Sequence, residues 1–156
     1  MVTIRVETNI NATTKVVFDL ARSLSVHTAT TKGSNEIIVS QHENDLLSPG
    51  EIVTFEATHF GVRQRLTSEF VEFDPPHKFK DKMLNGAFRT LEHEHHFEST
   101  ASGGTIMTDI LSFESPLGPL GRLFDFLFLA NYMTRFIQSR GQSLKQIAEQ
   151  TEHKAE

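Results

Sequence analysis

The stretch Arg89-Thr-Leu-Glu-His-Glu-His-His-Phe97 sets ionisable side chains in a pattern that can do chemistry. At a period of two, Leu91, His93, His95 and Phe97 share one face, and Thr90, Glu92, Glu94 and His96 share the other. Alternation of this length marks a half-buried strand. A purely structural wall would carry Val or Ile where the two imidazoles stand. The pattern therefore predicts the lining of a ligand cavity.

Other segments repeat the theme. Val53, Phe55, Ala57 and His59 form one face, Phe79, Asp81 and Met83 another, and Met107, Asp109, Leu111 and Phe113 a third. If these apolar faces look inward together, His59, Asp81, His93, His95 and Asp109 meet among phenylalanines and methionines. Buried ionisable groups are costly unless paired. Asp109 follows the histidines by one strand, so a hairpin brings it within reach of them.

A group of this kind admits a structural hydrogen-bond network, a grip on the polar end of a ligand, or acid–base catalysis. The catalytic candidates are His93, His95 and Asp109. Two imidazoles one residue apart on a strand would also suit a metal if a carboxylate joined them. The spacing is common and fixes no third ligand, so neither a metal nor any other cofactor is expected. His96 is expected in solvent. His27 and His59 are both candidates for the pocket rim, although plain solvation is the favoured reading for His27, in a polar stretch. No phosphate loop, nucleotide fingerprint or Ser-His-Asp elbow is present.

Composition narrows the class. At 156 residues the chain is long enough for one domain with a real core. Without cysteine, neither a disulfide frame nor a thiolate site is possible. A net charge of -5 argues against a nucleic-acid partner. No secretory leader opens the chain, and the most apolar run, Leu123 to Met133, is broken by Asp125 and too short to span a bilayer. A cytoplasmic location without membrane insertion is the expectation.

Elements must then position these residues. Val2, Ile4 and Val6 alternate as a first strand, and Val17, Leu20 and Ala21 recur at helical spacing over roughly residues 13–22. Ser23 to Asn35 reads as irregular, and Glu36 to Ser40 as a short strand. Phe60-Gly61 marks a tight reversal into a long strand whose parity breaks near residue 70, which predicts a bulge and leaves Glu69 unassigned. Asn85-Gly86 and Ser102-Gly103-Gly104 read as hairpin turns. The Lys78, Lys80 and Lys82 stripe reads as a wet face.

From Pro119 to about Gln150 apolar residues recur every three or four positions, interrupted at modest cost by Gly141. Phe126 falls off that stripe, at an oligomer contact or cavity entrance. The order predicts an α+β domain over residues 1–150. A curved antiparallel sheet of about seven strands, with a short helix after the first, is covered by one long helix. Residues 151–156 read as a flexible tail.

Taken together, Ile10 with Phe18-Asp19, Val53-Thr54-Phe55, His59-Phe60-Gly61, Phe73 with Pro75-Pro76 and Phe79, Gly86 and Phe88 with His93, His95 and Phe97, and Asp109 followed by Pro116, Gly118-Pro119 and Gly121 resemble the START/Bet v 1-like superfamily, also called SRPBCC. The likeness is strongest to its bacterial ligand-binding, polyketide cyclase/dehydrase-like members and covers nearly the whole chain. Thr13-Thr14 stands where proline often opens the first helix, and residues 35–50 match poorly.

The resemblance implies a helix-grip fold with a cavity between sheet and C-terminal helix. That cavity would bind a small hydrophobic, aromatic or lipid-like molecule. The ligand-binding set is His59, Phe55, Phe79, Asp81, Met83, Leu91, His93, His95, Phe97, Met107, Asp109, Phe124 and Phe128. The alternatives are a cyclase-, dehydratase- or hydrolase-like enzyme using a His–Asp pair, and a non-catalytic stress or regulatory module. The expected partner is a small hydrophobic ligand, with a homodimer as a further option.

Overall fold

The computed structural model describes residues 1–155. Its elements are β1 (Val2–Ile10), α1 (Thr14–Ala21), α2 (Leu24–Thr30), a 3-10 turn (Lys32–Ser34), β2 (Ile37–Ile38), β3 (Ile52–His59), β4 (Val62–Asp74), β5 (Lys78–Asn85), β6 (Thr90–Ser99), β7 (Thr105–Glu114), α3 (Gly118–Phe124), a π-helical turn (Asp125–Leu129) and α4 (Ala130–Ala155). The strands form one curved sheet in the order β1-β7-β6-β5-β4-β3-β2. Every neighbouring pair is antiparallel. This is the helix-grip fold, with α4 packed along β1 and against α1 and α2.

Several turns follow from residue chemistry. Phe60 and Gly61 both adopt positive φ, 52° and 73°, between the paired His59 and Val62. Gly61 accepts this without strain, and the mirror-image turn matches the strand twist. The parity break in β4 is a slip of the ladder between Phe70 and Glu72, with another between Thr67 and Ser68. Glu69 falls between the buried Ser68 and Phe70 and so points away from the core. On the outer face, Lys78 pairs with Glu72, and Lys80 and Lys82 pair with Glu92. The lysine stripe is neutralised by its own sheet.

Four local expectations are corrected. Leu24–Thr30, read as irregular, is a helix whose Ser23 hydroxyl accepts from Val26 N at 3.2 Å. Its threonines and valine are poor helix formers, so packing rather than propensity holds it. The strand expected over Glu36–Ser40 shrinks to Ile37–Ile38. Asn85-Gly86 is not a tight hairpin: β5–β6 pairing ends at Lys82–Glu92, and Asn85 pairs back to Thr67. The tail expected after residue 150 is helical through Ala155, the last described position.

The C-terminal helix also departs from its expected face. Leu120, Leu123, Leu127 and Phe128 are exposed, whereas Asp125 and Leu129 are buried. The π-helical turn adds residues to one turn and rotates the buried stripe away from Phe128 and onto Leu129. Asp125 is tied down at the same point, accepting from the backbone N and hydroxyl of Ser115.

Two apolar clusters form the core. One gathers around Phe18, Phe79, Phe97 and Met107, the other around Val6, Leu111, Phe113 and Ile137. Gly141 is part of this packing, not an interruption: a Cβ there would stand 2.6 Å from Thr8 Oγ1. Thr8 is buried and β-branched, so it swings aside poorly. Gly141→Ala is therefore expected to destabilise by about 1–3 kcal/mol despite alanine's better helix propensity. Urea unfolding checks this; a gain in stability would contradict the close approach.

Candidate functional site

The register of the sheet assembles the polar group. His95 stands opposite Asp109 across β6–β7, and His93 opposite Asp81 across β5–β6. The inward faces of three adjacent strands thus place one carboxylate on either side of two imidazoles. His93 Nε2–H donates to Asp109 Oδ1 at 2.9 Å. His95 Nδ1 lies 2.8 Å from the same oxygen but out of line for a well-formed hydrogen bond. Its Nε2 is 3.4 Å from Asp81 Oδ1. The His95 ring is stacked at 4.2 Å on Phe79 and tilted at 3.9 Å over His93.

Burial and pairing compete at each group. Burial resists ionisation of Asp109, yet the hydrogen bond from His93 and the close charged contact with His95 overrule it and hold the carboxyl far below its usual range. Burial likewise opposes charge on His95, but contact with Asp109 and Asp81 wins and raises its pKa. For His93, burial and the neighbouring His95 charge act together and lower it. Burial is the largest influence on Asp81 and opposes its charge, but the His95 bond together with the charges of His93, His95 and Arg140 outweighs it and lowers its pKa. The geometry favours a neutral His93 beside an imidazolium at His95 held between two carboxylates.

This group forms one wall of a cavity of about 290 Å³ between the sheet and α4. Of the residues expected to touch a ligand, Phe55, His59, Phe79, Asp81, Leu91, His93, His95 and Phe124 line it. The others lie elsewhere. Phe97 and Met107 are core, Asp109 is behind the histidines, and Met83 packs with the second cluster. Phe128, at 60% exposure, faces outward because of the π-helical turn.

Further polar groups line the cavity, and Glu36, Tyr132 and Arg140 among them had no expected role. His27, expected in solvent, is on α2, stacks 4.5 Å from Phe55 and bonds Glu36 through Nε2. His59, also on the lining, is hydrogen-bonded through Nδ1 to the Tyr132 hydroxyl at 2.7 Å. Arg140 is buried at 8% exposure, with one long bond from Nη2 to Ala21 O and no partner for Nε. Its position between Ile137 and Leu144, at helical spacing, was the available signal that it faces inward.

The histidines give the fold a pH dependence. Burial lowers His27 despite Glu36, and burial also lowers His59. With His93, three imidazoles resist protonation in the fold, and His95 favours it. Below the ordinary value of 6.5 the unfolded chain takes up protons that these three folded groups refuse. Stability is therefore expected to fall between about pH 7.5 and about pH 5.5, and less steeply in His27→Gln. Urea midpoints across that range check it; a midpoint that rises in acid would contradict the neutral His27.

Fold and cavity together define a START/Bet v 1-like (SRPBCC) protein. The family model described as polyketide cyclase / dehydrase and lipid transport matches residues 1–149, and the chain belongs to that family. Among solved structures, TTHA0849 from Thermus thermophilus is similar at 21% identity and TM-score 0.73, covering 93% of this chain and 95% of that one. A START superfamily protein from Mycobacterium smegmatis matches at 11% identity and TM-score 0.72, covering 96% and 98%. Ginseng major latex-like protein 151 from Panax ginseng matches at 15% and 0.71, covering 94% and 97%. These likenesses show the fold. Comparison with curated proteins finds no match. Among the described residues no helix is long and apolar enough to cross a membrane.

Proposed function

We propose that the chain binds one small hydrophobic, aromatic or lipid-like molecule in the cavity beneath α4. Its apolar body would lie against Phe55, Leu91 and Leu111, and its polar end would meet His93, His95 and Asp81. The observation that carries this is the cavity itself: about 290 Å³, walled mainly by apolar side chains, with Asp81, His93 and His95 side by side on the sheet wall and His27, Glu36, His59 and Arg140 elsewhere on its lining. A cleft near the lower end of the ordinary range, about 300–1,000 Å³, with a few convergent polar groups suits a compact ligand. The family's description, which pairs cyclases and dehydrases with lipid transport, agrees with that ligand class.

A second reading has one specific observation behind it. His93 is a cavity-lining imidazole kept neutral and fixed through Nε2 by Asp109. A ligand proton brought within about 3 Å of its other nitrogen would meet a general base.

The test of binding uses a neutral apolar fluorophore, N-phenyl-naphthylamine. The unaltered chain should enhance its emission at one site, and Ala57→Phe, which fills the cavity from β3, should weaken binding at least about tenfold. Ala57 is 6% exposed and lines the cavity. Equal binding by a folded Ala57→Phe, or none by the unaltered chain, would refute the proposal.

A further inference from the structure

Both histidines are held from behind by one carboxylate. Asp109 Oδ1 is 2.9 Å from Nε2 of His93 and 2.8 Å from Nδ1 of His95. Each ring has a second nitrogen for another partner, and for His95 that nitrogen, Nε2, is 3.4 Å from Asp81 Oδ1 and would release its proton to solvent as a metal binds. An imidazole anchored through one nitrogen by a carboxylate is how proteins orient a histidine that ligates metal through the other. One ligating atom from each of Asp81, His93 and His95 lies within 4.8 Å of the other two.

The spacing can be compared with that of an ion. Bonds of roughly 2.0–2.2 Å to tetrahedral zinc place ligand atoms roughly 3.3–3.6 Å apart. The separation of Asp81 and His95, 3.4 Å, already falls in that range, and a ligand atom of His93 stands within 4.8 Å of one on each of these two. The three residues stand on neighbouring strands in fixed register, a rigid mount for a site. Asp81, His93 and His95 also line the cavity, so a coordination position would face it.

We propose that Asp81, His93 and His95 bind one divalent transition-metal ion of the zinc type in the cavity wall. Two imidazoles and one carboxylate match the preference of such ions over calcium or magnesium. Three protein ligands leave a fourth position for water or for a polar atom of whatever occupies the cavity. The sequence showed the two histidines but not the third ligand; the β5–β6 register supplies it as Asp81. The site requires no organic ligand, so it is tested without one.

Chelator-stripped protein is titrated with Co²⁺ and then Zn²⁺. One Co²⁺ per chain should give the intense visible bands of a four-coordinate ion, which Zn²⁺ displaces. Asp81→Asn and His95→Gln should each weaken Zn²⁺ binding at least tenfold, and Asp109→Asn about 10- to 100-fold. His96→Ala should leave it unchanged, because His96 pairs with Glu94 on the outer face. If a variant does not fold, histidine ring resonances of the unaltered chain decide. Zn²⁺ shifts at His93 and His95 support the site. No Co²⁺ bands, shifts confined to His77 and His96, or loss in His96→Ala with retention in Asp81→Asn would overturn it.

Discussion

Asp109→Ala is expected to cost about 3–5 kcal/mol of folding free energy, since it breaks a buried ion pair from one side. Asp109 is 2% exposed, and its one oxygen serves both His93 and His95. Removing it strands a buried imidazolium at His95 and a buried donor at His93. Asp109→Asn keeps the shape and an acceptor for His93 but not the charge that faces His95. About 1.5–3 kcal/mol is then expected.

The pH dependence of this cost has a definite sign. The depressed pKa of Asp109 stabilises the fold fully above the ordinary value of 3.8 and is lost as pH falls through the folded value. The raised pKa of His95 stabilises fully below 6.5 and is lost as pH rises through its folded value. The penalty of Asp109→Ala should therefore be greatest between those two values and shrink in strong acid. Urea unfolding at fixed ionic strength measures it. A cost under about 1 kcal/mol near pH 6 would mean that the pair contributes little.

Phe18→Ala is the second large effect, about 3–5 kcal/mol. Phe18 is 1% exposed and meets three rings edge-on: Phe73 at 5.5 Å, Phe79 at 5.6 Å and Phe97 at 5.4 Å. Its loss empties the centre of one apolar cluster and takes away one support of Phe79, the ring stacked on His95. Ligand affinity should fall along with stability, although Phe18 is not among the residues lining the cavity. Phe126→Ser, at a position 74% exposed, should by contrast stay within about 0.5 kcal/mol of the unaltered chain. Equal costs at the two positions would contradict the assigned core.

These two residues show what was legible in the sequence. The period-two pattern from Leu91 to Phe97 placed both imidazoles on the inner face, and hairpin logic placed Asp109 beside them. Strand alternation depends on local geometry, so it survives in a single sequence. Phe18 sat in a recognisable helix, but only the assembled fold shows three rings converging on it.

Other features depended on distant chain segments. Glu36 reaches His27 only because β2 is laid beside β3 and α2 packs on its cavity side. Arg140 carried the inward spacing of Ile137 and Leu144, yet a guanidinium reads as a solvent-side residue until the wall around it exists. Phe128 was misplaced for a geometric reason. The apolar count assumed regular α-helix, and the π-helical turn at Asp125–Leu129 shifted the buried stripe to Leu129.

The central claim is that His93 and His95 look into a chamber which an apolar molecule can enter. Intermolecular nuclear Overhauser effects between bound N-phenyl-naphthylamine and assigned protein protons test it most directly. Contacts are expected to the rings of His93, His95 and Phe55 and to the methyls of Leu111, all cavity-lining. Contacts confined to Leu120, Phe126 and Phe128, three of the exposed apolar side chains of α3 and the π-helical turn, would contradict it.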